Sequence, residues 1–362
     1  MRIVILGANG QVAAEVAQRL AGTPGVDLVP VSRTRGGSAH LRSHGIAVWH
    51  GSVSDDASAK AMLKNADVVA NFALAGGMGR TAIEANNRII QATIDHSEPT
   101  ARIIFISTLA VEGSADAAGL MKRGAYGDLK RRNELHFEQA ARRAGRRGWT
   151  LRLGHVCGEE QNITQSLRRQ IALGPVRAPD LERLSNTTYI EAIAEALLAV
   201  GEDRAGPPGR YDLVNYPQWT WREVFEHEAR VVGLPVEFET SPAPPPHPPA
   251  LSARLMGAAF ALIQRLGLRA VLERSLAFLP GGFADQTKAD YFVSRARAEI
   301  AALAPRREVP ALALLWPAVD ARHLPGVRET QTLIAEGAFR GDRGRTPWPA
   351  DLGPIPGRQP DA

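Results

Sequence analysis

Cysteine is almost missing from this chain: Cys157 stands alone among 362 residues. That excludes an internal disulfide framework and any zinc site built on several thiolates, and it fits a reducing compartment. Lysine is scarce too, since the 43 basic residues include only five lysines, so the basic side is arginine scattered among 38 acids. The resulting net charge of +5 is small for this length. It supplies no focused basic patch, and no nucleic-acid partner is expected. Long apolar runs are absent as well. The most apolar stretch, 251–268, is broken by Arg254 and Arg265, far short of the roughly 20 residues a bilayer span needs. At the start, Ile3 to Leu6 are followed at once by a glycine, too early for a signal-peptide apolar region. The expectation is a cytoplasmic protein without a membrane span.

What is present is alternation. Short β-branched runs at Ile3 to Leu6, Leu28 to Val31, Asp67 to Asn71, Ile103 to Ser107 and Trp149 to Leu153 are separated by helical patterns such as Val12 to Leu20 and Lys130 to Ala144. Strands interleaved with helices predict an α/β fold, a Rossmann-type doubly wound parallel sheet, with a smaller C-terminal substrate region and added helices. The expected layout is a nucleotide-binding part at 1–155 and a substrate-binding region at 156–240 interleaved with it. Glu191 to Val200, Tyr211 to Val214 and a helix starting near Thr220 supply the elements of the second part. SPAPPPHPPA at 241–250 reads as an extended connector, because its prolines fit neither a helix interior nor a central strand. A helical extension at 251–339 and a disordered tail at 340–362 complete the expectation.

Directly after the first strand comes GANGQVA, with Gly7, Gly10 and Ala13 at the spacing of a dinucleotide loop that opens a helix. Gly7 permits the tight turn, Gly10 lets backbone approach a pyrophosphate, and the helix N-terminus offers free amides to anionic oxygens. Asn9, Gln11 and Val12 belong to the same cradle. The second strand ends in Ser32 and Arg33 where an NAD-preferring loop would carry a carboxylate. A guanidinium there pairs with a 2′-phosphate, so the residues favour NADP over NAD.

Beyond the Ile103 to Ser107 strand stand Thr108, then Tyr126, then Lys130 four residues later. Four-residue spacing puts Tyr126 and Lys130 on one helix face, so the ammonium is expected to favour the ionised phenol. Thr108, at the carboxyl end of a parallel strand, is placed to hold a substrate oxygen against Tyr126.

These motifs resemble the extended short-chain dehydrogenase/reductase family, also called the NAD-dependent epimerase/dehydratase family. The likeness runs over about residues 1–230 through GANGQVA, VVANFA (68–73), FISTLAVEG (105–113), YGDLKRRNE (126–134) and LRLGHVCG (151–158). It implies that Thr108 is the catalytic hydroxyl, Tyr126 the acid/base, and Lys130 the residue that lowers the tyrosine pKa and holds the nicotinamide ribose. It also implies cofactor contacts at Ser52, Val53, Asn71, Phe72, Ala73, Leu153, Gly154 and Val156, and a homodimer through helices on the sheet flank. The activity implied is hydride transfer at a secondary alcohol or ketone of a small molecule such as a sugar or nucleotide sugar. A nucleotide-sugar epimerase and a catalytically silent cofactor-sensing regulator are the alternatives.

Three departures from the family pattern stand out. Ser52 occupies the place of an acid that contacts adenine, Glu112 that of a tyrosine, and Gly154 that of a proline. Leu109 and Ala110 follow Thr108 where 4,6-dehydratases of the family carry Asp and Glu, which speaks against elimination. Cys157 reads as core packing, and the nine histidines show no HExxH spacing, so no metal is expected. One of Arg168, Arg169, Arg177 and Arg183 is expected to contact substrate. The apolar pattern of 251–279 suggests a lid or packing element, with a membrane-interfacial helix as the alternative.

Overall fold

In the computed structural model, residues 1–34, 36–75, 79–115, 121–122, 125–178, 180–240 and 321–337 are described. The proline-rich connector, most of the C-terminal extension with its 251–279 pattern, and the tail lie outside them. In chain order the elements begin with β1 (Arg2–Leu6), α1 (Gln11–Leu20), β2 (Asp27–Ser32), α2 (Ala39–Ser43), β3 (Trp49–His50), α3 (Asp56–Leu63), β4 (Val68–Asn71), α4 (Gly79–His96) and β5 (Arg102–Thr108). A short hairpin of β6 (Ser114–Ala115) and β7 (Met121–Lys122) precedes α5 (Ala125–Arg143), β8 (Arg147–Leu153), β9 (His155–Cys157), α6 (Asn162–Leu173) and β10 (Val176–Ala178). The chain continues through β11 (Thr187–Tyr189), α7 (Ile190–Gly201), β12 (Gly209–Leu213), α8 (Trp221–Val232), β13 (Phe238–Thr240) and α9 (Thr330–Ala335).

Seven strands form one sheet in the order β12-β8-β5-β4-β1-β2-β3, and every pairing is parallel. Helices cover both faces, which is why β1, β4 and β5 read as nearly unbroken apolar runs. Helices α1 and α7 pack together on one face, and α3, α4 and α5 form a layer on the other. The core between sheet and α1–α7 gathers Ile3, Ile5, Val16, Leu20, Trp149, Ile193 and Leu197, all essentially inaccessible. The opposite layer seats Phe105 on Phe137 with ring centroids 5.4 Å apart.

The chain leaves the sheet after β8 and returns at β12, so the segment from β9 to α7, joined by α8 beyond β12, forms a second region beside the main sheet. That region has its own core of Leu167, Ile171, Trp219, Trp221, Val224 and Phe225 between α6 and α8. Helix α8 starts at a capping box in which Thr220 and Glu223 satisfy each other's backbone amides, and it stops at Gly233 in the left-handed region (φ 70°). Residues 321–337 fold back on the main body: Leu324 and Leu333 join the main core, and α9 packs on α7. Among the described residues no helix is long and apolar enough to cross a membrane.

Candidate active site

The strand order reverses between β1 and β4, and open α/β sheets bind ligands at the carboxyl ends of strands flanking such a point. There Gly7 adopts φ +76°, and a Cβ on it would stand 2.7 Å from the Ala73 backbone. Only glycine lets the first loop pass that close to the end of β4. Gly10 caps α1 without a side chain, and a Cβ there would meet the Gly7 carbonyl at 3.3 Å. The N-terminus of α1 is thus capped by a glycine with no side chain over it, which fits a pyrophosphate.

Around this cradle the sequence-derived residues divide. Asn71 is buried and its Oδ1 accepts from the Ala73 amide at 3.0 Å, shaping the β4 loop beside Phe72. Ser32 is buried at the end of β2 and its hydroxyl donates to the Thr34 carbonyl, whereas Arg33 beside it is exposed. The Gln11 side chain turns away from the cradle and donates to the Glu160 carbonyl at 2.6 Å; Asn9 is exposed and Val12 half-buried. The Ser52 hydroxyl accepts from the Ser54 amide, and Val53 sits in the core beside β4. Asp55, just beyond, caps α3 by accepting from the Ser58 amide at 2.8 Å, a structural use of an acid near the expected adenine position.

On the other side of the switch point, α5 packs against the turn at 109–112 that follows Thr108. Thr108 is buried and its Oγ1 accepts from the Ala110 amide at 3.2 Å, so it starts that turn. Tyr126 opens α5 with its ring half-exposed, yet the surrounding atoms strip water from it and push its hydroxyl above the ordinary tyrosine range. Lys130, one turn on, is buried. Its Nζ donates to the Ile106 carbonyl at 2.8 Å and stands 5.1 Å from the Phe105 ring centre. Burial draws the ammonium down to about 8, with Glu134 acting in the opposite direction. Desolvation is the cause acting on the Tyr126 hydroxyl, and one of the Lys130 N–H groups is directed to the β5 backbone.

Beneath Lys130 lies a group the sequence reading missed. Glu134, fully buried, accepts two bonds from the Arg152 guanidinium at 2.9 Å each and one from Ser107 at 2.6 Å. Arg152 also pairs with Glu112, the residue standing in place of a tyrosine. A signal for this existed. Arg152 sits inside the apolar strand LRL, where a charge must find a partner, and Glu134 continues the four-residue register of Tyr126 and Lys130. A second buried acid, Glu15 on α1, accepts from the backbone amides of Glu159 and Glu160 and from Gln161. Burial pushes it upward, and the Gln161 bond and Arg19 offset part of that rise.

The strand end after β8 is equally crowded. A Cβ on Gly154 would fall on the Asn186 carbonyl oxygen, which already accepts from the His155 amide at 2.8 Å. Glycine in place of the family's proline therefore follows from the close approach of β9 and β11. Gly158 has the same character, because a Cβ there would stand 2.6 Å from the Glu15 carboxylate. Leu153 is buried and Val156 half-buried in the same segment. Cys157 is wholly buried in the α6–α8 core, its thiol pushed up by burial, as the packing reading expected. Of the four arginines, Arg168 is taken by Glu159 and Glu228, and Arg177 by Glu239. Arg169 keeps a buried Nε without a hydrogen-bond partner.

The model of the NAD dependent epimerase/dehydratase family matches residues 3–213. The chain belongs to that family. Solved structures with the same architecture include a UDP-glucose 4-epimerase, at 18% identity and TM-score 0.51 over 68% of this chain and 87% of that one. UDP-glucuronic acid 4-epimerase from Bacillus cereus, in complex with UDP-glucuronic acid and NAD, aligns at 17% identity and TM-score 0.50 over 66% and 86%. dTDP-glucose 4,6-dehydratase from Bacillus anthracis, in complex with NAD, aligns at 14% identity and TM-score 0.50 over 67% and 85%. At these identities the likeness is one of fold. No curated protein matches the chain. The family is described as NAD dependent, and Leu109, which follows Thr108, is buried.

Proposed function

We propose that this protein is an NAD(P)-dependent oxidoreductase that acts at a secondary alcohol or ketone carbon of a sugar or nucleotide sugar, with Tyr126 as the acid/base. The observation that carries this reading is the docking of the Tyr126–Lys130 helix on the Thr108 turn, on the same sheet edge as the glycine cradle. When bound, the nicotinamide supplies or accepts the hydride. The Thr108 hydroxyl would hold the substrate oxygen and Tyr126 would exchange its proton with it. The Tyr126 phenol would serve as proton donor to a ketone oxygen or as acceptor from an alcohol. Lys130, bound to the Ile106 carbonyl, fixes α5 against β5 and keeps a cation near the cofactor ribose position. One of Arg168, Arg169, Arg177 and Arg183 would contact a substrate phosphate. Arg33 on the rim of β2 supports NADP. Helices α4 and α5, packed side by side, are the flank through which a homodimer would form.

The second reading, a nucleotide-sugar 4-epimerase that returns its hydride to the same carbon, is favoured by the family match and by the fold neighbours. Tyr126→Phe tests the shared site: turnover should fall by about 10² to 10⁴ while cofactor still binds. Undiminished turnover would refute the assignment of Tyr126. Nucleotide released from denatured wild-type protein separates the two readings. Near-stoichiometric NAD with no net cofactor consumption favours the epimerase, whereas cofactor-free protein that consumes NADPH favours the reductase.

A further inference from the structure

Outside the cradle and the tyrosine helix, one cluster of side chains has the chemistry of a metal site. His40 and His44 are four residues apart, within and just past the short helix α2, with ring centroids 4.7 Å apart. Glu160, from the loop after β9, reaches over to them, and its Oε2 lies 2.7 Å from His40 Nε2. One donor atom from each of the three residues lies within 4.8 Å of the others. Zinc holds nitrogen and oxygen ligands at about 2.0 to 2.2 Å, which sets neighbouring tetrahedral donors about 3.3 to 3.6 Å apart. Admitting the ion requires His40 Nε2 and Glu160 Oε2, now 2.7 Å apart, to part by about 0.6 to 0.9 Å, a movement open to the partly exposed Glu160 side chain.

Two observations argue that the cluster is more than an ion pair. The first is a conflict of protons. His40 Nε2 faces the Glu160 carboxylate at 2.7 Å and the Gln18 side-chain amide at 2.9 Å, and the same amide nitrogen lies 3.2 and 3.3 Å from the two Glu160 oxygens. If Nε2 carries a proton for Glu160, it meets the Gln18 N–H head-on; if it accepts from Gln18, it meets the carboxylate with its lone pair. Turning the amide over sets its oxygen against the carboxylate instead. A cation seated between His40 and Glu160, once their contact has opened, would remove the conflict, because both would then offer lone pairs to the metal and Gln18 would donate to the carboxylate.

The second is preorganisation. The Glu160 amide is held by buried Glu15, and its carbonyl accepts from Gln11 at 2.6 Å. His44 Nδ1 stands 2.9 Å from the His40 carbonyl, a bond that fixes the ring's tautomer and orientation. Hydrogen bonds therefore hold the Glu160 backbone and the His44 ring in place.

We propose that His40, His44 and Glu160 bind one divalent transition-metal ion of the zinc type, clamping α2, which follows the Ser32–Arg33 strand end, to the loop after β9. The proposal is independent of the catalytic reading. Two histidines and one carboxylate suit zinc, cobalt or nickel and leave room for water in the remaining positions.

The test uses untagged full-length protein and cobalt(II) as the probe. One equivalent should bind with visible d–d absorption of a low-coordinate nitrogen/oxygen site, and zinc should displace it. His44→Ala changes an exposed side chain and is expected to fold. It and Glu160→Gln should each weaken cobalt binding at least tenfold, while His96→Ala, on α4, leaves it unchanged. Absence of a one-equivalent saturable site, or wild-type affinity in His44→Ala, would overturn the proposal. Circular dichroism of His44→Ala shows that any loss is not unfolding, and if Glu160→Gln fails to fold the histidine variant alone decides.

Discussion

Lys130 offers a direct reading of what the proposed site costs the fold. Its ammonium is buried, and burial lowers it from an ordinary 10.5 to about 8, with Glu134 pulling the other way. In the unfolded chain the same lysine keeps its proton up to its ordinary value. Between about pH 8 and 10.5 the unfolded state therefore binds more protons than the native one, and stability rises with pH in that window. The slope reaches about 1.4 kcal/mol per pH unit, so the whole window is worth on the order of 3 kcal/mol. Below it the full penalty is present, and above it the penalty is gone. Lys130→Met removes the titration while keeping a chain of similar length, at the loss of the 2.8 Å bond to the Ile106 carbonyl, which is worth about 1.5 to 3 kcal/mol from a charged donor. Urea unfolding of cofactor-free wild type and variant at pH 7, 8, 9 and 10 isolates the effect, since other titrations cancel in the difference. The two proteins should lie close at pH 7, and wild type should gain on the variant by about 2 to 3 kcal/mol by pH 10. Parallel stability curves would show that the native lysine titrates as it does in water, and would refute the burial argument.

Two further perturbations follow from the geometry. Gly154→Ala drives a Cβ onto the Asn186 carbonyl; overpacking against backbone should cost at least about 2 kcal/mol and lower the thermal midpoint by several degrees, and a midpoint within 1 °C of wild type, by about the same relation, would contradict the close approach. Arg33→Ala should weaken NADPH about tenfold or more while sparing NADH, measured by titration calorimetry, because a bidentate pair with the 2′-phosphate is worth at least about 1.4 kcal/mol.

The parallel sheet was legible because its strands are buried on both faces. Runs such as IVIL and IIFIS have no alternation to misread, and the glycine spacing of GANGQVA sits where β1 ends. Tyr126 and Lys130 were legible through their four-residue spacing, but what the ammonium touches was not. Its contact with Ile106 depends on how deeply α5 settles into β5, and the rise at Tyr126 depends on the atoms around it. Both are tertiary. The fold-back at α9 was hidden for a similar reason, since TQTLIA is only six residues long and its buried Thr330 and Leu333, with the partly buried Ile334, make too short a pattern to read as a helix. The spacing in HLRSH was available, whereas Glu160 lies 120 residues away and no local pattern points to it.

The two buried acids have a common logic that yields a last test. Each helix that would present chemistry at the switch point is fixed by a carboxylate on its inner face: α1 by Glu15, which holds the backbone of the loop after β9, and α5 by Glu134, which holds Ser107 and Arg152. A cradle and a proton donor on separate helices stay in register only if both helices are set against the sheet more firmly than apolar contacts, which allow sliding, would set them. Both acids are fully buried, so removing either charge leaves donors without an acceptor, at a cost of about 3 kcal/mol or more each. The helices lie on opposite faces of the sheet; Glu15 bonds Arg19, Gln161 and the Glu159 and Glu160 amides, whereas Glu134 bonds Ser107, Arg131 and Arg152. Glu15→Gln and Glu134→Gln should therefore add in the double variant to within about 0.5 kcal/mol. A coupling above about 1 kcal/mol in a double-mutant cycle would mean that the sheet transmits strain between its faces, and that the two anchors form one device instead of two.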